Sequence, residues 1–382
     1  MPDSQELNVG LAMSGGGFRA TLFHLGSLWR LNELGCLRQL DIITSVSGGS
    51  IIAGLLAYNW NELTWERQES QGEVAINFRE AIEAPLRNLC SRTIDLKAGL
   101  VGILSPFSSI ADELARAYDR YLFHGRTLQQ LPEAEPGKTP RFIFYATSLQ
   151  TGSGVRISRE YLADYKVGRI DYPDFRLSKV VTASSAFPPL FSPVIFRIDD
   201  VSVWKPMPGT YLHGQFTFKN RLFLADGGVY DNMGLEAVWD RCKTLLVSDA
   251  GSPMEMEKRP AANPIGQLGR VRNILINQTR ALRKRKLVDD FKDGVRHGTY
   301  WGITTKIDNY GLHDPLTQDS DRTQQLQKIR TRLNKFSVEE QGLLINWGYA
   351  LADAALRRHC QALLSSAVPP APTWPCPEYA LG

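Results

Sequence analysis

The sequence has few cysteines, no long apolar run, no internal repeat and little net charge, and each shortage excludes something. Its five cysteines, Cys36, Cys90, Cys242, Cys360 and Cys376, are odd in number and scattered through 382 residues. With no C-x-x-C pair they suggest neither a zinc site nor a redox dithiol, and they suit a reducing cytosol. No metal and no cofactor are expected. The cleanest apolar runs, such as Ile51 to Ala57, fall far short of the about 20 residues that cross a bilayer. The amino terminus MPDSQELN is polar with an early acid, so neither a secretory signal nor a transmembrane helix is expected. A formal charge of +4 is too mild for a whole-chain argument for nucleic acid. With 43% apolar residues the chain can bury a large core. One domain over residues 1–366, followed by a flexible proline-rich tail at 367–382, is the expected organisation.

What the sequence does have is a strand, a turn of small residues and a buried helix in Leu40 to Tyr58. Ile42-Ile43-Thr44 suits a buried parallel strand, and Ile51 to Ala57 a helix apolar all round. Between them Ser45-Val46-Ser47-Gly48-Gly49 fits the G-x-S-x-G elbow, with Ser45 where the first glycine usually stands. Such a turn lifts one hydroxyl, that of Ser47, above the positive end of the next helix. A Ser/Gly-rich turn without chemistry reads the same way at this level.

Upstream, Leu7 to Met13 reads as a strand running into Ser14-Gly15-Gly16-Gly17-Phe18-Arg19-Ala20, and the helix after it carries Leu22, Leu25, Leu28, Trp29 and Leu31 on a buried face. Three glycines at a strand-to-helix junction leave backbone N–H groups facing outward at a helix's positive end, which suits an anion. The segment also satisfies G-x-G-x-x-A, the dinucleotide fingerprint. That reading wants an acid closing the second strand, and the acid at hand, Asp41, opens it instead. The other chemical reading is an oxyanion hole built from the N–H groups of Gly16 and Gly17.

Asn59 to Pro140 reads as a helical insertion, and within it Ile94 to Phe107 is an apolar segment able to pack, to lie on a membrane or to cover a site. Arg141 to Thr147 resumes the sheet, and Leu177 to Val194 gives a helix broken by Pro188 and Pro189. Val201 to Lys219 reads as a peripheral hairpin. Arg221 to Ala225 is a strand ending at Asp226-Gly227-Gly228, and an acid at the carboxyl end of a strand is where open α/β sheets keep reacting groups. Gly269 to Lys286 is a basic helix whose Ile274, Leu275 and Leu282 are expected to pack while Arg283 to Lys286 stay in solvent. Attraction of that run to anionic headgroups is the functional alternative. Ser337 to Glu340 is a capping box opening a helix to about Cys360.

Together SGGGFR, SVSGG and DGG resemble the patatin-like phospholipases, including their cytosolic phospholipase branch, and TASSAFPPLF is similar to the family's segment between nucleophile and acid. The resemblance covers roughly Leu7 to Gly251. It implies a three-layer α/β/α fold with a mostly parallel central sheet, and a phospholipase A type acyl hydrolase working through a Ser-Asp dyad and an acyl-enzyme. It further implies Ser47 as nucleophile, Asp226 as base, Gly15, Gly16 and Gly17 as the oxyanion loop, and Arg19 as a candidate for substrate phosphate. Two positions depart from the family: Ser45, and Asn232-Met233-Gly234 in place of Asn-x-Pro. The implied partner is a phospholipid or membrane surface, with no nucleic acid, and a cytoplasmic protein peripheral at the inner membrane face. An activating small molecule or a homo-oligomer is compatible with this. Two alternatives remain open, a Ser-His-Asp hydrolase using His297, His313 or His359, and a nucleotide-binding module using the glycine loop.

Overall fold

Segments apolar on both faces become strands only in a sheet covered on both sides, and that rule organises this chain. The computed structural model describes residues 7–69, 71–94, 109–364 and 369–382. It opens with β1 (Leu7–Met13), α1 (Gly17–Glu33), β2 (Ile42–Ser45) and α2 (Gly48–Asn59). A hairpin, β3 (Trp65–Gln68) and β4 (Gly72–Ala75), and helices α3 (Ala84–Cys90) and α4 (Ile110–Tyr118) precede β5 (Arg141–Ser148). Then come β6 (Ser153–Ile157), β7 (Tyr161–Asp164), β8 (Gly168–Asp171), α5 (Leu177–Ser185), β9 (Val194–Arg197), β10 (Trp204–Lys205) and β11 (Arg221–Asp226). The remainder comprises α6 (Gly228–Asp231), α7 (Glu236–Trp239), β12 (Cys242–Asp249), α8 (Pro264–Lys292), β13 (His297–Gly302), α9 (Asp321–Leu326) and α10 (Val338–His359).

Strands β5, β2, β1, β12 and β13 lie side by side and parallel, so their carboxyl ends share one edge of the sheet. Beyond β5 the sheet continues antiparallel through β6, β7, β8 and β10, and β11 pairs antiparallel with both β5 and β9. Successive residues alternate between two cores: Leu11, Met13 and Ile43 join α1, α2 and α10, whereas Ala12, Ile42 and Val247 join Leu235, Val238 and Leu287. The result is the expected three-layer arrangement, with antiparallel strands added at one side.

Helix α1 approaches α10 closely because glycines leave room. A Cβ on Gly26 would come within 1.8 Å of the Ile345 carbonyl oxygen, and one on Gly348 within 1.9 Å of that of Phe23. Arg30 of α1 pairs with Asp353 of α10 at 2.8 Å, both buried. This packing holds the loop before α1 in place.

Several expectations are corrected. Val201 to Lys219 is not a hairpin: Trp204–Lys205 pairs with β8 and the rest forms short turns, since Pro206 and Pro208 supply no ladder donors. The tail is not free, because Cys376 and Leu381 are buried and Asn346 of α10 donates to the Cys376 and Tyr379 carbonyls, both at 2.8 Å. Helix α8 is turned over relative to the expected packing. Its Ile274, Leu275 and Leu282 are exposed, Arg283 lies 3.7 Å from Glu236, and Lys284 sits 4.1 Å from the Tyr300 ring centroid. The reason is that Arg272, Arg280 and Arg283 find partners in Pro188, Asp249 and Glu236, so α8 packs partly through its charged side, while Arg285 and Lys286 stay exposed as expected. Of Ile94 to Phe107, Ile94 is buried, and 95–107 lie outside the described residues. No described helix is long and apolar enough to cross a membrane.

Candidate active site

The parallel register puts the ends of β1 and β2 side by side, with Met13 opposite Ser45. Each strand must therefore turn sharply into its helix at the same edge. At the second turn Ser47 takes φ 52°, ψ −118°, a left-handed conformation that costs an L-residue about 1–3 kcal/mol and persists only when its surroundings hold it. Those surroundings are specific: the Ser47 N–H donates to the Ser184 carbonyl at 3.1 Å, and α2 begins at Gly48 directly behind the hydroxyl. A Cβ on Gly48 would lie 2.1 Å from the Gly17 carbonyl oxygen, so only glycine lets the two turns meet.

Asp226 ends β11 and is 2% exposed. Its Oδ1 accepts the Gly228 N–H at 2.7 Å, and the Ser47 side chain stands beside its carboxylate on the same cavity wall. Burial pushes the carboxyl up to about 7, and the Gly228 N–H and the neighbouring Ser47 hydroxyl only partly offset it. The structure thus brings together two residues 179 positions apart in sequence (226 − 47).

The glycine loop faces the same place, but its three members differ. Gly15 donates its N–H to the Asn232 carbonyl at 3.0 Å, so it is no free donor. Among the described residues, the N–H groups of Gly16 and Gly17 have no acceptor, and neither has that of Gly48. Gly16 (φ +144°) and Gly17 (φ +56°) adopt backbone angles that L side chains avoid. Below them His24 braces the loop, with Nε2 2.9 Å from the Ser14 carbonyl oxygen and Nδ1 2.8 Å from Ser248 Oγ. Burial pulls His24 down to about 4, which keeps the imidazole neutral.

Arg19 is placed differently from the expectation. It is 1% exposed and does not line the cavity. Its Nη1 donates to the carbonyls of Gln327 (2.9 Å) and Ile329 (2.8 Å), and its Nη2 to Ala250 O (2.7 Å) and Ser252 Oγ (3.0 Å). Burial, with Arg280 nearby, pulls it down to about 10. A guanidinium spent in this way braces the loop and has no donor pair left for a phosphate.

A cavity of about 980 Å³ opens over this arrangement, lined by Gly15, Gly16, Gly17, Ser47 and Asp226 on one wall and by α8 on another. Its apolar lip is Phe187, Pro188, Pro189 and Leu190. His297, His313 and His359 are exposed and none lines the cavity, so the structure does not bring them to Ser47. Asp41 likewise lies away from the glycine loop, at the opposite end of β2, accepting the Val9 N–H at 3.0 Å.

Both departures from the family have a structural reason. Ser45 is buried with Oγ 2.9 Å from Ser50 Oγ, which is 2.8 Å from Ser184 Oγ, so a ladder of hydroxyls ties β2, α2 and α5 together. Gly234 has φ +67°, which proline cannot adopt. Sequence reasoning missed Ser184 and Asn232 as positioning residues. Ser184 stood inside TASSAFPPLF with no spacing to mark it, and Asn232 acts through a backbone carbonyl that no side-chain pattern reveals.

A family model described as Patatin, patatin-like phospholipase, matches residues 11–239. Among solved structures, human GIVD cytosolic phospholipase A2 in complex with methyl gamma-linolenyl fluorophosphonate is similar over 94% of this chain and 59% of its own, with 15% identity and a TM-score of 0.54. Human GIVD cytosolic phospholipase A2 by itself is 12% identical, with coverage of 94% and 61% and a TM-score of 0.49. VipD from Legionella pneumophila is 16% identical over 93% of this chain and 67% of its own, with a TM-score of 0.39. This chain spans about six tenths of the length of the cytosolic phospholipase structures it matches. No curated protein matches it.

Proposed function

The chain belongs to the patatin-like phospholipase family, whose model covers more than half of it, and from that premise we propose that it is a lipid acyl hydrolase of phospholipase A type. Family membership supports action on lipid esters. The observation that carries the mechanism is the placement of the Ser47 hydroxyl beside a buried Asp226 whose carboxyl is raised to about 7. A carboxylate with the ordinary pKa of about 3.9 is a poor base for an alcohol, and burial lessens that mismatch.

In the proposed reaction Ser47 Oγ attacks the ester carbonyl carbon while its proton passes to Asp226. The N–H groups of Gly16 and Gly17 receive the oxyanion, each such donor being worth about 10²–10³ in rate. Collapse of the tetrahedral species breaks the ester C–O bond, and the departing alcohol takes the proton from Asp226. Water then attacks the acyl-enzyme, Asp226 accepts its proton and returns it to Ser47 Oγ, and the fatty acid leaves. The dipole of α2 favours the negative charge developing at its amino end.

We also infer that substrate is met at a lipid surface. Support comes from α8, whose Leu268, Val271, Leu275 and Leu282 form an exposed stripe while its Arg272, Asn273, Ile276 and Arg280 line the cavity. The test of the hydrolase reading is labelling with an alkyl fluorophosphonate and mapping of the adduct. Modification of Ser47, lost in Asp226→Asn together with hydrolysis of phosphatidylcholine, is expected. A folded protein that takes no adduct and releases no fatty acid from any phospholipid or simple ester would end the reading.

A further inference from the structure

With Arg19 spent on protein carbonyls, the cavity needs another cation if it is to hold an anionic head group. Four arginines line it: Arg270, Arg272 and Arg280 from α8, and Arg332, which already has a partner of its own. Two of the three from α8 are committed to carboxylates. Arg280 grips Asp249 Oδ2 through Nε (2.9 Å) and Nη2 (2.7 Å), and Arg270 reaches Glu257 at 3.0 Å. Arg272 differs. Its Nη1 donates to the Pro188 carbonyl at 3.1 Å, its Nε and Nη2 share the Asn273 amide oxygen at 3.3 and 3.2 Å, and no carboxylate pairs with it among the described residues. Its guanidinium carbon sits 5.1 Å from the Phe187 ring centroid.

We propose that Arg272 is the anion-binding residue of this cavity and takes the phosphodiester of a glycerophospholipid whose acyl ester lies at Ser47. The assignment rests on the acyl-hydrolase reading above and gives it a head-group contact. Nη1 and Nη2 each keep one further N–H beyond these bonds, a fork that matches two phosphate oxygens, and the bonds already made restrain the side chain, so it binds at less entropy than a free one. The surrounding lip is apolar, from Phe187 to Leu190, so a cation without a carboxylate there gains from an incoming anion. A phosphodiester fits because it keeps one negative charge throughout the working pH range, whereas the neighbouring Glu257 is already held by Arg270.

The test compares the unaltered protein, Arg272→Gln and Arg272→Lys on a monomeric short-chain phosphatidylcholine and on the neutral diacylglycerol of the same chain length. Loss of a charge-assisted contact predicts that Arg272→Gln lowers kcat/KM on the phospholipid about 10- to 100-fold, mainly through KM, and on the diacylglycerol by about threefold or less. Arg272→Lys should recover part of the loss. Equal losses on both substrates, or none on the phospholipid, overturn the assignment. Inorganic phosphate added to the diacylglycerol assay separates the two sources of this chemistry. Competition at concentrations below the phospholipid KM that vanishes in Arg272→Gln would give the site to free phosphate, and no competition supports the lipid. Turnover of diacylglycerol with an unchanged preference in Arg272→Gln fails Arg272 alone, whereas inertness on both esters without labelling of Ser47 fails the hydrolase reading itself.

Discussion

The carbonyl oxygen of Ser184 accepts the N–H of Ser47 at 3.1 Å and also the N–H of Gly227 at 3.2 Å. One peptide group therefore fixes the turn bearing the hydroxyl and the turn bearing the carboxylate, although these arise on different strands. The Ser184 side chain adds to this, donating to the Tyr145 carbonyl at 2.7 Å and taking the Ser47 N–H at 3.2 Å.

Ser184→Ala should leave the carbonyl bridge and remove the last rung of the hydroxyl ladder, leaving Ser50 with Ser45 alone and taking a donor from the buried Tyr145 carbonyl. We expect a loss of about 1–3 kcal/mol in stability and a fall in kcat of about tenfold with KM little changed. Denaturant unfolding and steady-state kinetics check both. A KM effect without a kcat effect would contradict a role in positioning the turn.

Ser47→Ala should abolish ester hydrolysis while the protein stays folded, since alanine keeps the Cβ and the backbone bond to Ser184. Asp226→Asn should be nearly as inactive, and the double variant little worse, because groups acting as a unit are not additive. Multiplicative losses would separate the two residues.

With Asp226 as the proposed base, its raised carboxyl should set the pH dependence of hydrolysis. The base form dominates only above about 7, so log kcat/KM should climb with unit slope below that pH and level off above it. Stability runs the other way. Below the unfolded pKa of about 3.9 both states carry the proton and burial of Asp226 costs nothing, but as pH rises towards the folded value the unfolded state ionises first and gains. Asp226→Asn should thus match the unaltered protein near pH 4 and exceed it by a few kcal/mol above pH 7. A stability difference independent of pH would show that Asp226 is not the strained group.

Arg19→Gln and Arg272→Gln should fail differently. Removing Arg19 leaves three carbonyls and the Ser252 hydroxyl without its donors, which should lower stability by several kcal/mol. Arg272→Gln, on a partly exposed helix face, should lie within about 1 kcal/mol of the unaltered protein. Thermal unfolding of the two variants decides it, and comparable Tm values would contradict the placement of Arg19.

The exposed stripe of α8 should matter only at a lipid surface. Leu268→Gln, Leu275→Gln and Leu282→Gln combined should weaken vesicle binding by about tenfold or more, each leucine being worth about 1–3 kcal/mol when buried. Turnover of a soluble short-chain ester should stay close to that of the unaltered protein. Neutralising Arg283 to Lys286 is a poorer test, because Arg283 contacts Glu236 and Lys286 pairs with Asp290. Unchanged vesicle binding by the triple variant would make the stripe a face for some other partner.

Local chemistry alone determined the strand-turn-helix units at Ser14 to Arg19 and Ser45 to Gly49, since glycines, β-branched runs and apolar helices act within a few residues of themselves. The Asp226 turn was legible for the same reason. Its partnership with Ser47 followed from the family resemblance, while their meeting depends on β11 pairing with β5, which neighbours β2. Tertiary structure decided what each polar group had left to offer. Gly15 looked equivalent to Gly16 and Gly17 until the Asn232 carbonyl took its N–H, and Arg19 looked like a phosphate ligand until the 327–329 segment and Ala250 took its donors. The facing of α8 was also decided there, because periodicity reports that a helix has two faces and only the layer beneath it selects the buried one. Hydrogen-bond capacity is a property of the residue, but its availability is a property of the neighbours, and for Arg19 those come from 231 to 310 positions away.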